Sequence, residues 1–196
     1  IEDLRRAEAS SDPNFKESFD RATRTVLEEV TALTRIVDEF SEFARFPSPQ
    51  MKPEDLNDIV LAATALFPIE ISQGIIKTDL TQKPIPVMAD KDQVKRALMN
   101  LIKNAVEAIP ETGRIIVKTA LSETKALVVI KDDGPGLSSQ AKQNLFNPYF
   151  TTKPRGSGLG LVIVKKIISE HDGSIMIVDA PDGGAEAAIS LPLHKQ

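Results

Sequence analysis

Cysteine is absent from all 196 residues. That excludes disulfides and thiolate metal sites and fits a reducing compartment. No apolar run approaches the ~20 residues needed to span a membrane, and no signal peptide is visible. The net charge of −4 gives no basic surface for nucleic acid. Gly-x-x-x-x-Gly-Lys-[Ser/Thr] does not occur, so there is no P-loop. Gly156, Gly158 and Gly160 are not spaced as a dinucleotide fingerprint, and they come late in the chain rather than after a first strand. Histidine is scarce, with only His171 and His194.

What is present is ordinary for a globular protein: 41% hydrophobic and 27% charged residues. The length suits one domain with a real core plus a smaller element. The chain opens at Ile1 inside a short helix-prone stretch and reads as part of a longer protein. Residues 14–46 contain neither glycine nor proline, and apolar side chains recur at Phe15, Phe19, Ala22, Val26, Val30, Leu33, Val37, Phe40 and Ala44. Steps of three and four predict one long helix with a single apolar face. A lone helix cannot bury that stripe, so a four-helix dimer is the simplest expectation, with an intramolecular coiled coil or packing on the downstream domain as alternatives. Pro47-Ser48-Pro49 ends it in a stiff linker. Beyond lie predicted helices at 56–67, 91–109 (capped by Asp90) and 159–171. Strands are predicted at 75–80, 85–89, 114–121, 126–130, 174–178 and 185–191, and 137–155 reads as polar and irregular. Long helices and hairpin-linked strands predict an α+β layered sandwich.

The most informative stretch is 132–161. It opens with Asp132-Asp133-Gly134-Pro135-Gly136, passes through Phe146-Asn147-Pro148-Tyr149-Phe150, and closes with Gly156-Ser157-Gly158-Leu159-Gly160-Leu161. A strand thus ends in an acidic glycine turn, and a second glycine turn opens a helix. Glycines let backbone N–H groups approach a ligand, and a helix N-terminus favours phosphate. An aspartate at a strand end can accept a hydrogen bond from a base amino group. Upstream, Asn100, Asn104 and Glu107 share one face of the 91–109 helix. Amides on a half-buried helix need partners, and an asparagine carbonyl suits magnesium, which prefers oxygen ligands shared with phosphate.

These segments resemble, in order, the N, G1, F and G2 boxes of sensor histidine kinases of the GHKL superfamily, at 100–107, 132–136, 146–150 and 156–161. Gly183-Gly184-Ala185 is similar to a G3 turn, and the Asn-Ala-Val-Glu-Ala and Phe-Thr-Thr-Lys wording is closest to nitrogen-regulation-type kinases. The helix expected over 14–46, including the run from Ile36 to Arg45, resembles the second helix of their dimerisation domain. The resemblance implies a GHKL (Bergerat) sandwich at 54–196, a linker at 48–53 and a truncated dimerisation and phosphotransfer domain at 1–47. It implies that Asp132 holds the adenine amino group while Gly134 and Gly136 let the chain pass the base. Asn104 would coordinate Mg2+, Asn100 would line the pocket, and Lys103 belongs to the same ATP-binding set. Lys153 would meet the terminal phosphates, and Gly156, Gly158, Leu159 and Gly160 would supply backbone donors to them. Phe146 and Phe150 would anchor the lid that runs between the F and G2 boxes, and Arg155 would meet phosphate or stay solvated. ATP or ADP with Mg2+ are the implied ligands. A homodimer through 14–46 and a response-regulator receiver domain are the implied partners, and a cytoplasmic stretch of an inner-membrane sensor is the implied location.

One feature departs from the family. The phosphoryl acceptor is a histidine on the first dimerisation helix, and neither histidine of this chain occupies such a place. His171 ends a helix, and His194 lies three residues from the C-terminus in what reads as a frayed tail. The acceptor is therefore expected either upstream of Ile1 in a longer protein or nowhere in it, and this chain alone is expected not to autophosphorylate. Two other readings fit the same boxes: a hydrolytic GHKL ATPase, and a non-catalytic nucleotide-binding signalling dimer. The first is disfavoured because hydrolytic relatives carry a glutamate base where Asn100 stands, and an amide cannot take a proton from water.

Overall fold

The computed structural model describes residues 15–44, 47–153 and 156–194. The chain divides into two compact units, Ile1–Phe46 and Pro47–Gln196. The first contains helix α1, Phe15–Ala44, whose 30 residues make a rod of about 45 Å. On its described face Phe19, Val26, Leu27 and Val30 are all about half exposed, at 48–61%. The side chains of Phe15, Leu33, Val37, Phe40 and Ala44, which complete the expected stripe, lie outside the described residues.

The second unit is two-layered. Strands β2 (Ile76–Asp79), β4 (Ile115–Leu121), β5 (Lys125–Asp132), β6 (Ser174–Asp179) and β7 (Ala185–Pro192) form one sheet in the order β2-β4-β5-β7-β6. Among the described residues, the β2–β4 pair of this sheet is parallel and the other three pairs are antiparallel. Alternation along β4, β5 and β7 sends Ile115, Val117, Ala126, Val128, Ile130, Ala187, Ile189 and Leu191 to the buried face. Helix α4 (Lys91–Ala108) packs on β4 and β5 and between two others, α2 (Leu56–Thr64) on one side and α6 (Gly160–Glu170), which also meets β6, on the other. Val94, Ala97, Leu98, Leu101, Ile102 and Ala105 give α4 its buried stripe. Ile163, Val164, Ile167 and Ile168 do the same for α6. Each fully buried aliphatic side chain contributes about 1.5–3 kcal/mol to this core.

Four local expectations need correction. The segment 52–53, read as linker, begins β1 (Lys52–Asp55), which pairs antiparallel with β3 (Pro86–Ala89). The residues just before it are tied down as well, Gln50 N donating to Asp90 Oδ2 (2.9 Å) and Gln93 Nε2 donating to the Pro47 carbonyl (3.0 Å). The helix expected over 56–67 stops at Thr64, and a short helix α3, Pro68–Ser72, restarts with proline at its first position, where a missing N–H costs nothing. The stretch 137–155 is not wholly irregular. It holds helix α5, Ser139–Asn144, capped by the Ser138 hydroxyl accepting from Ala141 N (3.1 Å). The C-terminal strand does not fray at His194, because Leu193 N donates to the Thr124 carbonyl (3.2 Å) and His194 N to the Pro86 carbonyl (2.9 Å).

Candidate nucleotide site

Helix α4 is the spine of the site, and it is rigidly started. Asp90 caps it, its Oδ1 accepting from Asp92 N and Gln93 N at 3.1 Å. The Asp90 N–H in turn donates to His171 Nε2 (2.9 Å), while His171 Nδ1 bonds the Ile167 carbonyl (2.7 Å). His171 is 1% exposed with both ring nitrogens engaged. It therefore locks the C-terminus of α6 to the start of α4.

Three loops meet α4 at successive turns of one face. Asn100 Nδ2 reaches the Gly160 carbonyl at the start of α6 (3.5 Å). One turn on, Asn104 Oδ1 accepts from Lys153 Nζ (2.9 Å). One turn further, the carbonyl of Ala108 would lie 3.1 Å from a Cβ placed on Gly134. Glu107 joins the middle contact, its Oε2 paired with the same Lys153 ammonium. Lys103 stands apart from this group: its side chain is 60% exposed, with Nζ 4.0 Å from Glu107 Oε1. Arg155 lies outside the described residues.

Asp132 ends β5 and is 7% exposed. Its Oδ1 accepts from Gly134 N (2.8 Å) and from Ala185 N (3.2 Å), and Oδ2 takes no part in these two bonds. Gly183-Gly184 brings Ala185 there. Gly184 has φ +82°, and a Cβ on it would overlap the Asp132 carbonyl, so only glycine lets β7 enter beside β5. Gly136 lies against Asp179, at the end of β6.

Asp179 is a functional candidate that sequence reasoning missed. Its Oδ1 accepts from Leu137 N (2.7 Å), and Oδ2 pairs with Lys142 Nζ of α5 (2.5 Å). Lys142 first, and the Leu137 amide second, hold its carboxyl below the usual aspartate range. It thus fixes the root of the segment that runs from Leu137 to Lys153. No spacing rule points to it, because the residues it joins are 42 apart in sequence.

The far end of that segment docks on the second glycine loop. Gly158 has φ +70°, and a Cβ there would sit 2.7 Å from both the amide nitrogen and the carbonyl oxygen of Phe150. Phe146 is half-buried, with Lys165 Nζ 5.2 Å from its ring centroid. Leu159 is 1% exposed, so its side chain belongs to the core and only its backbone faces the loop. Leu159, as the cap of α6, makes no side-chain capping bond, and a Cβ on Gly160 would meet nothing within 4 Å. An uncapped helix start with open space above it is suited to an anion. The donor set suits a metal polyphosphate: Asn104 Oδ1 already has a cation against it, the Lys153 ammonium, with the Glu107 carboxylate beside it.

This fold and site define a nucleotide-binding domain built as a helix layer on a mixed sheet. The family of histidine kinase-, DNA gyrase B- and HSP90-like ATPases matches residues 89–195. The nitrogen regulation protein NtrY of Azorhizobium caulinodans is 36% identical over 184 residues, which make up 90% of this chain and 24% of that protein. The chain thus spans about a quarter of that relative's length. The solved catalytic domain of histidine kinase ThkA is similar with a TM-score of 0.66 at 32% identity, covering 73% of this chain and 95% of that one. ThkA solved in complex with the response regulator protein TrrA has a TM-score of 0.74 at 28% identity, covering 93% and 53%. The chain belongs to this ATPase family and, within it, carries the ATP-binding catalytic domain of a sensor histidine kinase.

Proposed function

We propose that this chain serves a two-component sensor kinase by presenting the γ-phosphoryl group of ATP to a histidine that lies outside it. In this reading residues 54–196, extended back to Lys52 by β1, form the catalytic domain, 48–51 the connection, and 1–47 the remaining part of a helical dimerisation and phosphotransfer domain. The observation that supports it most is the run of Asn100, Asn104 and Ala108 along α4, which meets the second glycine loop, Lys153 and the first glycine loop in turn.

Asp132 takes the adenine amino group on Oδ2, because Oδ1 already holds Gly134 and Ala185. Gly134 and Gly136 keep the turn flat enough for the base. Gly158 and Gly160 offer backbone N–H groups to the phosphates, backed by the N-terminus of α6, and Gly156 and Leu159 add theirs on release from the Lys153 carbonyl (3.1 Å) and Ser157 Oγ (3.3 Å). Lys153 adds a cation at the terminal phosphates, and Lys103 adds a more distant, solvated one. Asn104 Oδ1 is the protein ligand we assign to Mg2+, with Asn100 one turn away lining the same pocket. Bound magnesium would neutralise phosphate charge as the phosphoryl group leaves. Positioning and charge stabilisation do most of the work in such transfers, and an in-line acceptor must be supplied.

Neither histidine of the chain is such an acceptor. Both nitrogens of His171 are bonded in the core, and His194 belongs to the strand end beside Pro86. Hydrolysis is not favoured either, since Asn100 offers an amide where a base is needed. The exposed apolar face of α1 supports a homodimer through 14–46, and the ThkA–TrrA complex supports a receiver-domain partner for the longer protein.

Incubation with γ-labelled ATP tests the proposal. No acid-labile label should appear on this chain, and label should appear once an upstream helix carrying a histidine is supplied. Acid-labile label on the 196-residue chain would move the acceptor into it. Steady phosphate release abolished by Asn100→Ala would make the protein a hydrolytic ATPase instead.

A further inference from the structure

Lys153 is shared between two oxygens of different kinds. Its Nζ donates to the neutral amide oxygen of Asn104 (2.9 Å) and pairs with the charged carboxylate of Glu107. Asn104 and Glu107 are three residues apart on α4, so they present side by side. Both side chains of the ion pair are partly exposed, Lys153 at 38% and Glu107 at 40%. The pair is therefore screened, but its charges still act on anything seated against Asn104.

A metal-free polyphosphate brings uncompensated negative charge to this place. To gain Lys153 it must draw the ammonium from Glu107, and it then faces a carboxylate whose counter-ion it has taken. Like charges at such range repel. A metal-loaded polyphosphate differs. A cation on Asn104 Oδ1 replaces the ammonium at the same oxygen, and Glu107 keeps a positive neighbour throughout. Its charge then costs the complex little. A neutral residue at 107 would remove the repulsion and with it the discrimination.

We propose that Glu107 is a specificity-determining residue that makes the site distinguish magnesium-loaded from metal-free nucleotide, with Lys153 as the counter-ion it holds when metal is absent. The inference rests on the nucleotide site proposed above. Calorimetric titration of the chain with ADP and with a non-hydrolysable ATP analogue, each in magnesium and in EDTA, tests both. The wild type should bind more tightly in magnesium. Glu107→Gln should tighten EDTA binding about three- to tenfold and change magnesium binding by no more than about twofold, the scale of one partly screened charge pair. Glu107→Asp should keep most of the wild-type ratio, which separates charge from shape. Raising the salt should shrink the ratio in the wild type more than in Glu107→Gln. An unchanged magnesium-to-EDTA ratio in Glu107→Gln, with Asp132→Asn still weakening binding in both buffers, overturns the role of Glu107 and leaves the nucleotide site standing. Unchanged affinity in Asp132→Asn removes the site and this inference with it.

Discussion

Asp132 carries two loads at once. Through Oδ1 it joins the first glycine loop to the start of β7, and through its charge it is suited to a base amino group. Asp132→Asn retains an oxygen for the two backbone amides but weakens a charge-assisted bond. It should therefore lower affinity for Mg-ADP by about 1.5–3 kcal/mol while leaving the fold in place. Wild-type affinity is expected between micromolar and sub-millimolar, about −5 to −8 kcal/mol, and titration calorimetry beside a thermal melt reads both quantities. Gly158 makes a different demand. With φ +70° and the backbone of Phe150 against it, Gly158→Ala must push the two segments apart. Tyr149, at φ +66°, already holds a conformation that costs a non-glycine residue of order 1 kcal/mol or more, so little slack remains on that side. Hydrogen exchange at 149–151 should accelerate in Gly158→Ala, and nucleotide binding should weaken. Wild-type exchange in the variant would mean the contact does not hold the segment.

At the scale of elements, α1 presents Val26 and Val30 half-exposed on a helix that needs a partner for that face. In the proposed homodimer Val26→Asp would place an unpaired charge in the seam, and light scattering should then find monomer where the wild type is expected to be dimeric at tens of micromolar. A monomeric wild type would remove the seam. Helix α5 depends on Asp179 in a pH-dependent way. The folded-state carboxyl titrates below the ordinary aspartate value of about 3.9. Its contribution is therefore complete above that value and lost as pH falls through the lower one. The Leu137 amide resonance should move with a midpoint below about 3.9 and should not show that step in Asp179→Asn. A midpoint at or above the ordinary value would break the link. Elements with strong local patterns could be read directly from the sequence. The 3.6-residue stripe and aspartate cap of α4, the alternation of β4 and β5, and the glycine-opened start of α6 all declare themselves. Strand β1 does not, because Lys-Pro-Glu-Asp has no strand propensity and owes its state to pairing with β3. Helix α5 has only six residues, too short for periodicity to show, although Ser138 before a run of helix formers was a usable signal.

Considering the whole molecule, the boxes of the site were legible as local motifs, but their mutual contacts were not. Nothing in spacing tells that Lys153 meets Glu107, that Ala185 meets Asp132, or that Asp179 meets Leu137, since each contact joins segments far apart in sequence that only the tertiary fold brings together. The segment from Leu137 to Lys153 is thereby tied at both ends, at its root by Asp179 and at its tip by Asn104 and Glu107. Such a double tether has a kinetic signature. Closing a loop of this size carries an entropy cost that grows only slowly with length, and the tip bonds have already offset it. A ligand that must part Lys153 from Glu107 before it can settle then associates no faster than the tip detaches. Stopped-flow association with a fluorescent ADP analogue should consequently show a rate that levels off as ligand concentration rises. Lys153→Ala should abolish that plateau, binding faster at high concentration even as it binds more weakly.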